Sequence, residues 1–368
     1  MDGKIVYYRI YDIGGIIDIT NLKNKTEDSS EQLQISSWSS MTYSIDASPY
    51  GVIKSFTREI ETSVGKYRLE PEIKVFSIGV VSINIRINFN GLSLDDLYNY
   101  YNLKIKKKDE YKNIEVFFDE LFDDIYKKLK HNITDKYKIS VSPEIYVVFC
   151  VHDSDNISIK EFLTTHNKKL AALLTNRKIE TILSDTQTKD ILSSWFSYEE
   201  NDLVIMDWNS AFVINPGRNY EDILLVLEFN NLMLLELRTY DLYLNKILEE
   251  TYQDIDLFFD RKLKYSIAND TLKDIITTRV DLLQMTDELR NTTKFIGEWY
   301  LAKLYNACAN KFRLGDWENS ITKKLSTLND LYMVLNNALH DRKMLILEYS
   351  IVLLFIIDLL ILLFPLIP

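Results

Sequence analysis

An almost uninterrupted apolar run near the C-terminus constrains this chain more than any other feature. The run extends from Met344 to Phe364, and its exceptions are Glu348, Tyr349, Ser350 and Asp358. A helix of about 20 apolar residues crosses a bilayer. From Ile351 onward apolar residues surround the helix instead of lining one stripe, which favours lipid over the alternative, a buried core helix. The sequence therefore predicts a single transmembrane anchor within residues 344–368.

One acid, Asp358, lies inside this apolar run. A central Asp costs about 2.5–3.5 kcal/mol on insertion, and more than a dozen residues that each return about 0.3–0.6 kcal/mol still favour the membrane. Acids at such depth usually face a protein interior and find a partner. Because no Lys, Arg or His follows Lys343, we predict that Asp358 hydrogen-bonds to its counterparts around a narrow watery axis in a homo-oligomer. The alternative is a shallow helix that places Asp358 near an interface.

The charges flanking the anchor predict its orientation. The opening "MDGKIVYYRIYDIGG" is typical of a strand, not of a signal or transit peptide. Lys323, Lys324, Arg342 and Lys343 precede the apolar run. By the positive-inside rule, the bulk of the chain is predicted to lie in the cytoplasm, with the bilayer as one partner.

Composition narrows the remaining classes. The chain has 368 residues, 46% of them hydrophobic, which favours a packed core over disorder. The formal charge of −11 makes nucleic acid an unlikely partner. Cys150 and Cys308 are predicted to be buried small apolar residues, because two cysteines do not make a disulfide framework.

Residues 1–218 are predicted to form an α+β domain, a mixed sandwich of sheet and helices. Strand patterns occur in "KIVYYRIYDI", "EIKVFSIGVVSINIRINF", "EIYVVFCV", and the pair "DLVIM" and "AFVIN" around "DWNS". Helix patterns occur in "SLDDLYNYY", "NIEVFFDELFDDIYKKL" and "SIKEFLTTHNKKLAALL". Ser93 and Ser158 are predicted N-caps.

Residues 219–343 are predicted to form a stalk of long helices. Spacings of three and four in 275–299 and 321–349 are typical of a coiled-coil seam. These two segments are therefore expected to pair as an antiparallel helical hairpin. Leu325, Leu328 and Leu335 belong to the second arm and are predicted to support oligomer contacts alongside the internal seam.

Motifs for chemistry are few. The sequence has no Walker loop, no GxGxxG, no HExxH and no GxSxG, so we expect no catalytic residue, cofactor or metal ligand. Weak pocket candidates are His152 and Asp153, which follow a strand, and Asp207 and Asn209. The alternative is that the latter two only form a hairpin turn.

A basic run, "LKIKKKDEYK", leaves an RNA-binding role open. That role requires Lys104, Lys106, Lys107 and Lys108 to share one exposed face with Lys127 and Lys128. Acids interleave with these lysines, which favours a solvated surface instead.

Several segments resemble the required-for-meiotic-nuclear-division family, in its bacterial form. They are "YRIYDIGGIIDI", "FSIGVVSI" at Phe76–Ile83, "DWNSAFVI" at Asp207–Ile214, "LLELRTYDLYL" at Leu234–Leu244 and the segment that begins "IGEWYLAKLYNACANKF". The resemblance implies a domain of unknown function, a C-terminal membrane anchor and a large homo-oligomer. In the mitochondrial branch it also implies support of translation. It implies no catalytic residue.

The sequence thus leads to one main functional hypothesis and two alternatives. The main one is a membrane-anchored, homo-oligomeric scaffold or assembly factor without enzymatic activity. The alternatives are an enzyme or small-ligand sensor with a pocket in the α+β domain, and an RNA- or ribosome-binding adaptor.

Overall fold

A computed structural model describes most of the chain. The described residues are 1–17, 33–36, 50–54, 57–134, 141–152, 158–178, 183–197, 199, 201–259, 273, 276, 280 and 299–363. Within them the predicted α+β class is confirmed, because a large mixed sheet is combined with seven helices.

The strands, in chain order, are β1 (Gly3–Asp12), β2 (Ile16–Ile17), β3 (Leu33–Ser36), β4 (Tyr50–Lys54), β5 (Arg58–Thr62), β6 (Gly65–Leu69), β7 (Glu72–Phe76), β8 (Val80–Phe89), β9 (Lys104–Lys107), β10 (Glu110–Asn113), β11 (Ile133–Thr134), β12 (Glu144–Val151), β13 (Trp195–Phe196), β14 (Leu203–Met206) and β15 (Ser210–Ile214). The helices are α1 (Leu94–Tyr101), α2 (Glu115–Leu129), α3 (Ile159–Leu174), α4 (Asp185–Leu192), α5 (Glu221–Phe259), α6 (Trp299–Lys311) and α7 (Leu314–Leu363).

Nine strands form the main sheet, in the order β13-β14-β15-β12-β1-β8-β7-β4-β3. Neighbours are antiparallel except for the parallel pair β12 and β15. β1 lies between β8 and β12, and both of its faces are buried, which explains its nearly continuous apolar sequence. Two smaller sheets have the orders β10-β9-β5-β6 and β11-β2.

Helices α1 to α4 supply apolar side chains to one face of the main sheet. Their buried residues join those of β1, β8 and β12 in a single core cluster. The predicted caps are confirmed: the Ser93 side chain accepts from Asp96 N–H in a capping box, and the Ser158 side chain accepts from Glu161 N–H.

Helix α5 contacts the opposite face of the sheet through buried charges. Lys74 Nζ donates to Glu228 Oε2 at 2.5 Å, and Ser82 Oγ donates to Glu228 Oε1 at 2.7 Å. At the start of the helix, Glu221 accepts from Lys4 and from Arg86. These contacts fix the register of α5 on the strands β1, β7 and β8.

The predicted single strand at 72–89 is two strands joined by a tight turn. Gly79 has φ +87°, and a Cβ at this position would overlap the main chain of Gly15. Only glycine combines that backbone conformation with so close an approach. The apolar pattern continues through the turn, so periodicity alone does not reveal the reversal.

The chain divides into two compact units, residues 1–239 with 285–317 and residues 240–284 with 318–368. The three-part division at 218/219 and 343/344 stays a prediction. In the second unit, Lys324 donates to Asp241 at 2.5 Å, and Leu335 and Leu339 form a small buried cluster with Ile255.

The predicted helical hairpin is only partly described. Nearly all of its first arm, 275–299, lies outside the described residues. In the second arm, Leu328 and Leu335 are fully buried within the chain and Leu325 is half-buried. The predicted oligomer contact at these leucines stays a prediction.

One described helix, α7, is long and apolar enough to cross a membrane, judged by its length and composition. Its side chains are exposed throughout residues 343–362, and Asp358 is exposed among them. Phe355 is 71% exposed and Leu362 is 82% exposed. This apolar surface is therefore not covered by the described part of the chain.

Candidate ligand-binding cleft

A cleft of about 550 Å³ opens in the first unit, where α2 begins and α3 ends. The start of β12 and the β14–β15 hairpin complete its walls. The polar and aromatic lining residues are Tyr7, Tyr8, Arg9, Tyr101, Asn102, Asn113, Glu115, Phe118, Glu144, Thr175, Asn176, Arg177, Gln187, Asp207, Trp208 and Asn209. Small-molecule sites commonly occupy about 300–1,000 Å³, so the cleft has the size of such a site.

Arg9 is the buried cation of the cleft. It lies on β1, and its side chain is 9% exposed. Nη1 lies 3.1 Å from Glu115 Oε2, and Nη2 lies 3.2 Å from Asp119 Oδ1. Within the described residues, Nε and Nη1 have no aligned hydrogen-bond acceptor. The ion pairs thus hold the guanidinium in place without satisfying all of its donors.

Two acids of the cleft are held by cations from other elements. Glu144, at the start of β12, pairs with Arg238 of α5, and Asp207 pairs with Lys311 of α6 at 2.9 Å. Burial raises the pKa of Glu144, and the charge of Arg238 opposes that shift. These pairs neutralise the acids and fix their orientation.

A reciprocal amide pair forms one wall. Asn102 Nδ2 donates to Asn176 Oδ1 at 2.7 Å, and Asn176 Nδ2 donates to Asn102 Oδ1 at 3.1 Å. Asn176 follows α3 with φ +50°, a left-handed conformation that Asn tolerates better than most residues. The amides thus join the end of α1 to the end of α3.

The β14–β15 hairpin supplies an exposed aromatic ring. Trp208 is 43% exposed, and its ring meets Phe312 edge-on at 5.9 Å between centroids. Ser210 Oγ donates to Leu174 O at 2.8 Å, which ties the hairpin to the end of α3. Tyr101 also lines the cleft, and burial raises its pKa to about 12. It therefore stays a neutral phenol at physiological pH.

The structure separates the predicted pocket residues. Asp207 and Asn209 both line the cleft. His152 follows the far end of β12, and its N–H donates to Asp2 O at 3.1 Å. About eight residues at 3.3 Å each separate it from Glu144. Asp153 lies outside the described residues.

Sequence patterns missed Arg9 and Glu144. A weak signal was available: Arg9 is the charged residue inside the apolar run "IVYYRIY" of β1. A charge in a strand buried on both faces needs a partner or a function. Glu144 offers no comparable signal, because it stands at a strand end.

Other sites have less support. Within the described residues, no group of His, Cys, Asp and Glu is arranged to hold a metal ion. Cys150 and Cys308 are free and buried, as predicted. Lysines of the basic run are engaged by acids: Lys106 pairs with Glu61, and Lys107 pairs with Glu120.

Comparison with known proteins places the α+β region in a family. A family model described as "Uncharacterized protein MJ0711, N-terminal domain" matches residues 2–221. The chain belongs to this family. Every residue that lines the cleft lies within the matched range.

One full-length relative supports the assignment. The chain is 25% identical to "Uncharacterized protein MJ0711" from the archaeon Methanocaldococcus jannaschii over 292 residues, which are 79% of this chain and 82% of the relative. No solved structure matches.

This family assignment corrects the resemblance drawn from the sequence. The required-for-meiotic-nuclear-division family, in a bacterial form, is wrong. The quoted segments are explained by local structure: Phe76–Ile83 contains the turn between β7 and β8, and Asp207–Ile214 contains the β14–β15 hairpin. Such short apolar and turn patterns recur in unrelated folds, so they do not identify a family.

Proposed function

We propose that this protein is a membrane-anchored small-ligand-binding protein. In this proposal the cleft of the first unit binds the ligand, and the apolar part of α7 anchors the chain in a bilayer. The first unit lies in the cytoplasm. The ligand is bound and not chemically transformed. The proposal favours the sensor alternative of the sequence analysis over an enzyme.

The observation that carries the proposal is the construction of the cleft walls. Charged, amide and aromatic side chains from strands, helix ends and a hairpin converge on one concavity. Glu144, Asp207 and Arg9 are each held by ion pairs, so the cleft is organised before a ligand arrives. Preorganisation lowers the entropic cost of binding.

A cleft-blocking variant tests this proposal. Asn209 is exposed at the cleft, and its main-chain carbonyl accepts from Val147 N–H, so a larger side chain changes the cleft and not the fold. We expect several small metabolites in a panel to raise the melting temperature of the full-length protein in detergent, and Asn209→Trp to abolish those shifts.

The matched control is Asn90→Trp, because Asn90 is exposed and lies outside the cleft. This variant should keep every shift of the wild-type protein. The proposed ligand-binding function would be disproved if no compound in the panel shifts the melting temperature, or if the shifts persist in Asn209→Trp.

A second candidate, the homo-oligomeric scaffold, is favoured by a separate observation. Asp358 is exposed in the single chain within an apolar helical surface. In a bilayer such an acid is stabilised by a polar partner, and the same residue of a neighbouring copy can supply it. The two candidates are compatible, since an oligomer can present several clefts.

A further inference from the structure

We infer that the ligand of the cleft carries a nucleobase and binds as a nucleoside or a mononucleotide. This inference rests on the proposed ligand-binding function and specifies its chemistry. Three independent properties of the walls support it: their amides, their exposed aromatic ring and their charge balance.

The walls are rich in primary amides. Five of them line the cleft, and they belong to Asn102, Asn113, Asn176, Gln187 and Asn209. A primary amide places a donor beside an acceptor, the arrangement that an Asn or Gln side chain uses to bind the edge of adenine.

The paired amides retain capacity for a ligand. Each amide has two N–H donors and a carbonyl oxygen with two lone pairs. The reciprocal pair between Asn102 and Asn176 uses one donor and one lone pair on each side. Because the pair is already fixed, a base that binds it loses little side-chain entropy of the protein.

Trp208 offers a stacking surface. Its edge-on contact with Phe312 supports the ring, the residue is 43% exposed, and it lines the cleft. Stacking of a base on an aromatic side chain contributes about 1–3 kcal/mol by alanine substitution, whichever base is present. Aliphatic acids have no planar face for such a contact.

The charges favour a ligand with little net charge. Lining cations and anions, counted with their ion-pair partners, balance: Arg9, Arg177, Arg238 and Lys311 against Glu115, Asp119, Glu144 and Asp207. A polyphosphate or a nucleic-acid strand needs an excess of cations. Arg177, exposed at the cleft, is suited to one phosphate at most.

The test measures binding of adenosine, guanosine, cytidine and uridine by isothermal titration of the full-length protein in detergent. We expect at least one nucleoside to bind. Trp208→Ala should weaken it about tenfold or more. Asn176→Gly should also weaken it, because glycine keeps the left-handed backbone and removes only the amide.

Trp195→Ala is the matched control, since Trp195 is 49% exposed and lies outside the cleft. This variant should bind as the wild type does. Equal weakening by Trp195→Ala and Trp208→Ala would overturn the inference, and so would nucleoside binding that Asn209→Trp leaves intact.

The same titrations include ribose, amino acids and dicarboxylates. One of these compounds could bind, and be blocked by Asn209→Trp, while no nucleoside binds. That result would overturn the inference of a nucleobase ligand and would leave the proposed ligand-binding function in place. A failure of every compound to bind would overturn both. Tighter binding of oligonucleotides than of nucleosides would also contradict the inference and favour a nucleic-acid site.

Discussion

At the scale of single residues, a buried ion pair between β7 and α5 fixes the helix on the sheet. Lys74 is 8% exposed, and Glu228 is 2% exposed. The carboxylate of Glu228 also accepts from Ser82. Removing one partner of such a pair leaves an uncompensated charge in a medium of low dielectric, which is more costly than removing both.

Lys74→Met is therefore expected to lower the free energy of unfolding by about 3–5 kcal/mol. The double variant Lys74→Met with Glu228→Leu should recover most of this loss, because no unpaired charge remains. Urea denaturation followed by circular dichroism measures both values. A double variant that is no more stable than the single one would show that the pair acts by packing and not by charge.

Gly79 allows a second test at this scale. Gly79→Ala should destabilise the fold by at least about 1–3 kcal/mol, because φ is +87° and a Cβ would overlap Gly15. Gly315→Ala is the control: Gly315 lies in the first turn of α7 with open space around it, and alanine is favoured over glycine in a helix by up to about 1 kcal/mol. In thermal denaturation, Gly79→Ala is expected to lower the melting temperature and Gly315→Ala to raise it. A shift in the same direction for both variants would contradict this explanation.

At the scale of elements, α7 combines a part packed in the second unit with a fully exposed apolar part. Leu328 and Leu335 are completely buried, whereas Lys343 and the residues up to Leu362 are exposed. A contiguous apolar surface of this length is unfavourable in water and marks an interaction site. The proposed bilayer anchor accounts for the change along the helix.

Deletion of the residues after Tyr349 should release the protein into the soluble fraction. The full-length chain should stay with membranes after an alkaline wash. Leu354→Arg with Ile357→Arg should weaken retention, because each central Arg costs about 2.5–3.5 kcal/mol. Val334→Arg, on an exposed earlier turn of α7, is the control. Retention of the truncated chain in the washed membranes would disprove the anchor.

At the scale of the whole molecule, the proposed oligomer depends on Asp358. Leu328 and Leu335 are buried inside one chain, so their polar replacement is expected to destabilise the second unit directly. Such variants do not separate assembly from folding. Asp358 avoids this problem, because its side chain is exposed in the described chain.

Asp358→Leu should insert at least as well as the wild type and form smaller or heterogeneous assemblies in detergent. Asp358→Asn should largely preserve the assembly, because an amide can also hydrogen-bond between helices, a contact of about 0.6 kcal/mol on average. Light scattering after size-exclusion chromatography measures the mass. An unchanged mass in Asp358→Leu would exclude this residue from the interface.

Much of the local structure could be predicted from sequence because its causes act over a few residues. The caps at Ser93 and Ser158, the hairpin around Asp207 and the long apolar α7 follow from periodicity and side-chain hydrogen bonding. The turn at Gly79 was not predicted, because its cause is the close approach of Gly15, which lies in a distant segment of the chain.

The sequence by itself determined the α+β class, the apolar run of α7 and most strands of the main sheet. These features follow from hydrophobic periodicity and helix capping, which involve residues close together in the chain. Only the tertiary structure decided the cleft. Arg9 and Asp207 stand almost 200 residues apart, and the order β15-β12-β1 brings β1 near the hairpin that carries Asp207. Strand order depends on which apolar faces pack together. That packing minimises the apolar surface exposed by the whole molecule, so no local sequence pattern encodes it.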